Sequence, residues 1–464
     1  MINSQTRLLA RFASTVRADQ IKDSALMAAQ MSLADALAVM LAASRLGEGC
    51  AACVDIARIS GTGPCVVIGH EYRTSAPMAA FANGAMAHAM DFEDTHDHAI
   101  AHPHAATIPA ALAICDMRGN VGGDELLAAI AIGADLVCRI AASFEVNPDD
   151  FGWHTTPWLG VFGAATAAGR LLNLDTDQML DAWSLAMSQM ASFGELKNSP
   201  TSHMRAIRDA FAAKAGVMGA LMAQRGLKGY SEPLQGGAGF FAAVSRNHYA
   251  PQHLVEDLGE RFMGAEVSFK PWPSCRGTHA YIDAGLRLQS RIKIDPAQIT
   301  RIDVIINSKN RMLCEPRDIK IRPDNAINAK FSIPFTTAIA LLHGHVSIAS
   351  FNHDSLTDAS LLELSRKVEY QVDEKISLRD VTRGSLFVHM GGQIHSEHIV
   401  HALGHPDVPL TPESFRTKFD DCVKQIGAQW ALTHSEQLWN KLWALRSSSD
   451  VRDLTQLLHI SKEI

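Results

Sequence analysis

NGAMAHAMDFEDTHDHAIAHPHAATIPAALAICD, running from Asn83 to Asp116, sets four carboxylates (Asp91, Glu93, Asp94, Asp97) among five histidines (His88, His96, His98, His102, His104). Pro103 then opens an apolar run. Apolar residues flank the polar centre on both sides in the helical manner, so the stretch predicts helix, polar loop, helix. Groups that titrate near neutrality beside groups that can orient them are what proton-transfer chemistry needs. A polar loop with incidental histidines is the plainer alternative.

Working outward, Gln20 to Leu46 reads as a helix apolar nearly all round (Ala25, Leu26, Met27, Leu33, Leu37, Met40, Leu41), hence buried on several sides. Gly61–Tyr72 holds a short strand-like run, Cys65 to Ile68, between glycines. Helical patterns resume at 78–90, 105–117, 124–140, 159–172, 176–189 and 207–226, with Asp124 and Thr176 expected as N-caps and Gly119 and Gly226 as stops. Small residues recur along these runs and permit close helix approach. The pattern changes after Glu266. Arg301–Asn307 and Lys367–Asp373 alternate as strands do, and a hairpin is predicted across Leu386–Met390 and Gln393–His395, turning at Gly391-Gly392. Helices are expected between them at 279–292, 334–342 and 355–364, and again at 411–426 and 435–458. The expected fold is therefore a large, predominantly α-helical domain, residues 1–266 together with 404–464, plus a smaller α+β domain, 267–403. The C-terminal helices are assigned to the large domain because alone they would bury too little apolar surface.

At 464 residues, with 47% hydrophobic and 20% charged residues, the chain suits a globular protein with a sizeable core. A net charge of -7 with scattered Lys and Arg builds no basic stripe, which argues against nucleic acid as a partner. The N-terminus lacks a secretory signal pattern, and its Arg/Ser content makes only a weak case for a presequence. The most apolar stretch, Leu33–Ala43, is interrupted by Asp35 and too short to span a bilayer. A cytoplasmic protein without membrane association is the expectation. Eight scattered cysteines make no disulfide scaffold, and Cys50 and Cys53 form a lone CxxC without a second pair.

Three constellations bear on chemistry. The histidines and carboxylates of the opening stretch offer ligands, but no HExxH or Cys-rich spacing is present and the i, i+2 histidines suit no helix face, so no metal is expected. The glycines of Gln235–Phe240 follow no strand and complete no dinucleotide fingerprint, so a chain reversal is expected there. Neither a GxSxG elbow nor a P-loop occurs, against a serine hydrolase or NTPase. Third, SFKPWPSCRGTH, Ser268 to His279, has two prolines that rigidify a loop and deliver Arg276 and His279 to a helix start. Lys270, Arg276 and the free amides there favour a carboxylate. An ordinary proline-rich linker capped by Thr278 is the alternative.

The segment from Asn83 to Ala113, with KPWPSCRGTHAYIDA (Lys270–Ala284) and AKFSIPFTTAIAL (Ala329–Leu341), resembles the signature segments of the MmgE/PrpD family, in order and nearly end to end. The resemblance implies a helical domain completed by the C-terminus and a smaller lid, with the active site in a cleft between them, assembled as a homodimer. It implies chemistry on small polycarboxylates without metal or organic cofactor: 2-methylcitrate dehydration, cis-aconitate decarboxylation or iminodisuccinate epimerisation. Carried over, Asp91, Thr95 and His102 match the first cluster, His154 in GWHTTP the second, and Thr278 and His279 the lid loop. Arg205 falls at or near the position of a substrate-binding lysine. Phe335 stands where decarboxylating relatives carry tyrosine, which favours dehydration.

Removing a proton next to a carboxylate leaves a poor carbanion, so cations must neutralise the substrate. Lys197, Arg205, Lys270 and Arg276 are the candidates, with Thr95 and Thr278 as further substrate contacts. Lys197, Arg205 and Arg208 equally suit a solvated helix face. His102 and His279 are the expected acid and base, with Asp91 orienting His102. The expected function is a metal-independent lyase of the 2-methylcitrate dehydratase type. The alternatives are a decarboxylase, an epimerase and a non-catalytic polycarboxylate-binding protein.

Overall fold

A computed structural model describes residues 4–199 and 201–460; the first three residues of the Arg/Ser-rich N-terminal stretch lie outside them. The chain divides into two compact units, residues 1–267 with 419–464, and residues 268–418. The return to the helical unit thus begins at Phe419 rather than at 404.

The first unit is a bundle. Its helices include α1 (Gln5–Thr15), α2 (Asp23–Leu46), α3 (Cys50–Ile59), α4 (Ala76–Ala89), α5 (Pro103–Arg118), α6 (Gly123–Ser143), α7 (Thr155–Leu171), α8 (Thr176–Met187) and α9 (Met204–Gln224), with Ala428–Trp443 from the C-terminal segment. A two-residue ladder pairs β1 (Cys65–Val66) with β2 (Arg73–Thr74). Small residues set the spacing of the helices. A Cβ on Gly84 would stand 2.9 Å from the Asp209 carbonyl, and one on Gly133 2.8 Å from the Gly163 carbonyl, both too close for any real Cβ. Backbone therefore meets backbone where α4 packs on α9 and α6 on α7. α2 and α6 are long and apolar enough to cross a membrane, but their apolar windows are mostly buried within the protein, as core helices are. For α2 this exceeds the short span expected from the sequence. Met27 departs from that reading, standing 52% exposed on α2.

Two caps fall one element-edge away from the expected residues. α8 is capped by Asp175, whose side chain accepts from Gln178 N while Gln178 answers in a capping box, so Thr176 is already helical. α6 starts after Gly122, which leaves Asp124 in its first turn, where a carboxylate favours the helix dipole. All eight cysteines are free thiols. Residues 232–241 do reverse, with Gly239 N bonded to Gly236 O and Phe240 N to Pro233 O.

The C-terminal segment is stitched to the bundle by backbone and side chain: Gly123 N to Ser448 O, Val451 N to Val121 O, and Thr455 Oγ1 to Asp116 Oδ1 at 2.5 Å. Gly123 sits so close that an added Cβ would fall on the Leu445 carbonyl. Gly123→Ala should therefore lower stability by roughly 1–3 kcal/mol, although alanine has the better helix propensity. A urea midpoint that drops with the slope unchanged would show it, and an unchanged midpoint would mean that the contact relaxes freely.

The second unit is α+β. A four-stranded sheet runs in the order β4 (Val368–Val372), β3 (Ile299–Ile306), β5 (Gly384–Met390), β6 (Gln393–Ile399). β3 and β4 are parallel, and the remaining pairs antiparallel, with Met390 opposite Gln393 across the Gly391-Gly392 turn. The helices His279–Arg291 and Ile333–His343 complete its core, in which Phe335 is fully buried. The helix expected over 355–364 is instead two, His353–Thr357 and Ala359–Arg366, separated by Asp358, which caps the second through Ser360 N and Leu361 N.

Candidate active site

The polar centre of the opening stretch becomes a buried loop held between α4 and α5. Asp91 leaves α4 at φ 49° and Ile100 sits at φ 52°. A β-branched residue there is a genuine strain, of the sort that collects at functional sites. His96 and Ala101 close the loop with a backbone bridge, His96 N to Ala101 O at 2.9 Å. Of the histidines left without a role by the sequence, His96 Nδ1 accepts from Ala99 N, and His104 Nδ1 pairs with Asp94 Oδ2 at 2.7 Å. His98 is exposed.

Inside the loop, one carboxylate oxygen serves two imidazoles. Glu93 Oε1 lies 2.6 Å from His88 Nδ1 and 2.7 Å from His102 Nδ1, and the rings meet edge to face at 5.4 Å. His102 Nδ1 also reaches the Asp94 carbonyl at 3.1 Å. These partners call for a proton on Nδ1 of both rings and leave Nε2 of each free of the carboxylate. His88 Nε2 is buried without a partner. His102 keeps some access, with 16% of its side chain exposed. The carboxylate that holds His102 is thus Glu93, where Asp91 was expected. Asp91 and Thr95 are buried in the same loop, Thr95 Oγ1 donating to Asp97 Oδ1 at 3.0 Å.

α9 brings a second group to α4. The small-residue contact at Gly84 sets Asp209 with its Oδ2 4.0 Å from His88 Nδ1. Arg208 is buried beside it. Its Nη1 donates to His154 Nε2 at 2.7 Å, its Nε reaches Asp209 Oδ2 at 3.3 Å, and its Nη2 has no partner. His154, the residue before α7, is therefore a neutral ring whose Nδ1–H is buried and unpartnered. Burial above all, then the charges of Arg208, Lys197 and Arg205, hold its pKa well below the ordinary value. The expected substrate cations fare differently. Lys197 is spent on Asp149 at 2.6 Å, and Arg205 is partly exposed in the first turn of α9. Of the functional candidates, Asp209 goes unnamed in the sequence reading, His88 and Glu93 stand there only as members of the polar stretch, and Arg208, there suited to a solvated helix face, is buried.

In the second unit, His279 is fully buried with both nitrogens engaged: Nε2 donates to Ser274 O at 3.1 Å and Nδ1 accepts from Arg276 Nη1 at 3.2 Å. Burial, then Arg276 and Lys270, push its pKa well below normal. Arg276 also donates to the carbonyls of Leu403 and Ala402. Thr278 Oγ1 donates to Cys275 O and lies 2.8 Å from Ser274 Oγ, and Lys270 is wholly buried. The Ser268–His279 segment is thus a built polar loop.

Among the described residues, two groups have ligand atoms close enough to share a metal ion: His88, Glu93 and His102, and His401, His405 and Asp407. In the first, the 2.6 and 2.7 Å separations are hydrogen-bond lengths. Ligands about 2.1 Å from a tetrahedral ion stand roughly 3.4 Å apart, wider than these separations.

In the helical unit, His88, His96 and His154 all have pKa values lowered chiefly by burial, and His70 is brought down to about 4 by burial and then Arg45. Below pH 6.5 the unfolded chain binds protons that these folded histidines refuse. Stability should fall as pH drops from 7 to 5, each histidine adding at most about 1.4 kcal/mol per pH unit. Melting temperatures across that range would show the slope, and a flat profile would contradict it.

Residues 7–252 match the family model of the MmgE/PrpD N-terminal domain and residues 272–441 that of the C-terminal domain. The chain is 26% identical over 361 residues to a cis-aconitate decarboxylase of Mus musculus, covering 75% of this chain and 72% of the relative. It is 23% identical over 471 residues to the cis-aconitate decarboxylase-like protein oryM of Aspergillus oryzae, covering 98% and 97%. A cis-aconitate decarboxylase of Homo sapiens is 26% identical over 352 residues, covering 74% and 71%. With both of its domain models matched across most of the chain, this protein belongs to the MmgE/PrpD family.

Proposed function

We propose that the chain is a lyase acting on a small polycarboxylate, and that its reaction is decarboxylation of a cis-aconitate-type substrate. What carries the reading is the paired imidazoles on Glu93 in a chain whose relatives are named as cis-aconitate decarboxylases. When carbon dioxide leaves an allylic carboxylate, its electron pair forms a new double bond and the far carbon of the old one takes a proton. The step needs an acid aimed at carbon and cations or donors on the remaining carboxylates. His102 is the assigned proton donor through Nε2, which carries a second ring proton for that step, with Glu93 on Nδ1–H fixing the ring's aim and stabilising its positive charge. Arg208 Nη2 and His154 Nδ1–H, both unpartnered, are assigned to substrate oxygens. Asp91 and Thr95 share the loop. Lys270, Arg276, Thr278 and His279 form a second polar cluster, to which the proposal gives a share in turnover.

Dehydration of a 2-methylcitrate-type substrate is the second reading, favoured by Phe335. That ring lies in the core of the second unit, at the position where the family resemblance implies a tyrosine in decarboxylating members. The same groups serve it, His102 taking the carbon proton while an acid assists the departing hydroxide.

Following cis-aconitate, 2-methylcitrate, citrate and iminodisuccinate by NMR in deuterated buffer separates the possibilities. Carbon dioxide release from cis-aconitate supports the first reading, and double-bond formation from a citrate the second. Exchange of the α-hydrogen alone would mean epimerisation, and binding of all four without change would leave a polycarboxylate-binding protein.

A further inference from the structure

The second of the two ligand groups, His401, His405 and Asp407, lies in the turn that follows β6, wholly within the second unit. Its spacing differs from that of the triangle on Glu93. Asp407 Oδ2 stands 3.7 Å from His401 Nε2 and 3.5 Å from His405 Nδ1. Those separations are long for hydrogen bonds and close to the roughly 3.4 Å between ligands on a tetrahedral ion. The three side chains are 41%, 19% and 70% exposed, so an ion can reach them and keep water in a fourth position.

The turn itself is tightly built. His405 N bonds to Ala402 O, Val408 N to His405 O and Gly404 N to Val408 O. Leu403 N donates to Asp283 Oδ2 at 2.9 Å. Gly404 sits at φ 91°, and a Cβ there would fall 2.0 Å from the Phe269 carbonyl. Pro406 fixes the backbone between the last two ligands. The fold thus sets the backbone of all three ligands and leaves only side-chain torsions to adjust. Two local changes accompany binding. The imidazoles are stacked 4.2 Å apart at 18°, so one must turn for both to face a shared ion, and His401 is the more exposed. His405 Nδ1 accepts from Asp407 N at 3.1 Å, and a metal bond would replace that hydrogen bond, leaving the amide of an exposed residue to water.

We propose that this turn is a site for a divalent transition metal of the zinc type, held by His401 Nε2, His405 Nδ1 and Asp407 Oδ2. Two imidazoles and one carboxylate favour such an ion over magnesium or calcium, which take oxygen ligands. Ala402 and Leu403, between the two histidines, give their carbonyls to Arg276, whose Nη1 also reaches His279 Nδ1. An ion on the turn therefore stiffens the support on which Arg276 rests. The site stands independently of the lyase reading.

The test is calorimetric titration of the full chain with Zn²⁺, and separately with Mg²⁺, for the native protein and for His401→Ala, Asp407→Asn and His102→Ala. The expected result is one tightly bound Zn²⁺ per chain and no binding of Mg²⁺. Affinity for Zn²⁺ should fall at least about 10²-fold in His401→Ala and in Asp407→Asn, both surface changes, and stay native in His102→Ala. Zn²⁺ should also raise the melting temperature of the native chain and leave those of the two surface variants unmoved. Zn²⁺ binding that survives both surface variants would overturn the site. So would binding lost only in His102→Ala, which would place the ion on the Glu93 triangle, or binding seen only at millimolar Zn²⁺.

Discussion

Glu93→Gln is expected to lower turnover by roughly 10²- to 10³-fold while the chain stays folded. One carboxylate oxygen accepts from Nδ1 of both His88 and His102, at 2.6 and 2.7 Å. It orients both rings at once through Nδ1–H and stabilises positive charge on the ring that acts as acid. An amide oxygen in the same place can still accept from both rings but carries no charge, so it holds them more weakly and no longer stabilises a ring that becomes positive. Loss of the orienting carboxylate in a catalytic triad has this character and costs about 10⁴-fold. His102, the accessible ring, has the Asp94 carbonyl as a second acceptor, which tempers the loss. The effect should appear in kcat with little change in KM, because Glu93 itself holds no substrate. A variant with native kcat would reduce the triangle to scaffolding.

His279→Ala should lower turnover on the order of 10²-fold or more. The structure adds a second cost. With Nε2 donating to Ser274 O and Nδ1 accepting from Arg276, removing the ring leaves a buried carbonyl and a guanidinium arm short of partners. That should destabilise the second unit by about 1–3 kcal/mol. The two effects separate experimentally. Reduced stability with near-native turnover would make His279 a support for Arg276, and reduced turnover at temperatures where the variant is fully folded would keep it in the mechanism.

Much of this arrangement is legible in the chain. The helix–loop–helix of Asn83–Asp116, the alternation of Arg301–Asn307 and the Gly391-Gly392 hairpin follow from periodicity and turn chemistry, and the structure carries them at nearly those residues. The caps slipped because Asp175 and Thr176 are both good capping residues, and only backbone geometry chooses between them. Glu93 was hidden among four neighbouring carboxylates; which of them meets His102 depends on the direction each takes from a loop that Asp91 and Ile100 force into left-handed conformations. Arg208 and Asp209 carried a usable signal. Asp209 lies in helical phase with Ala213 and Gly216, the small-residue seam of α9, and a charge on such a seam is buried by construction. Reading that phase would have placed the pair inward and left Arg205, three residues earlier, near the helix start and partly exposed.

In the proposed decarboxylation, His102, held by Glu93 beside His88, delivers the proton to carbon. Carbon dioxide released per minute from cis-aconitate, compared between the native chain and His102→Ala, tests it most directly. Steady release by the native chain and a fall of at least about 10²-fold in the variant are expected. Equal rates, or no release by the native chain, would contradict it.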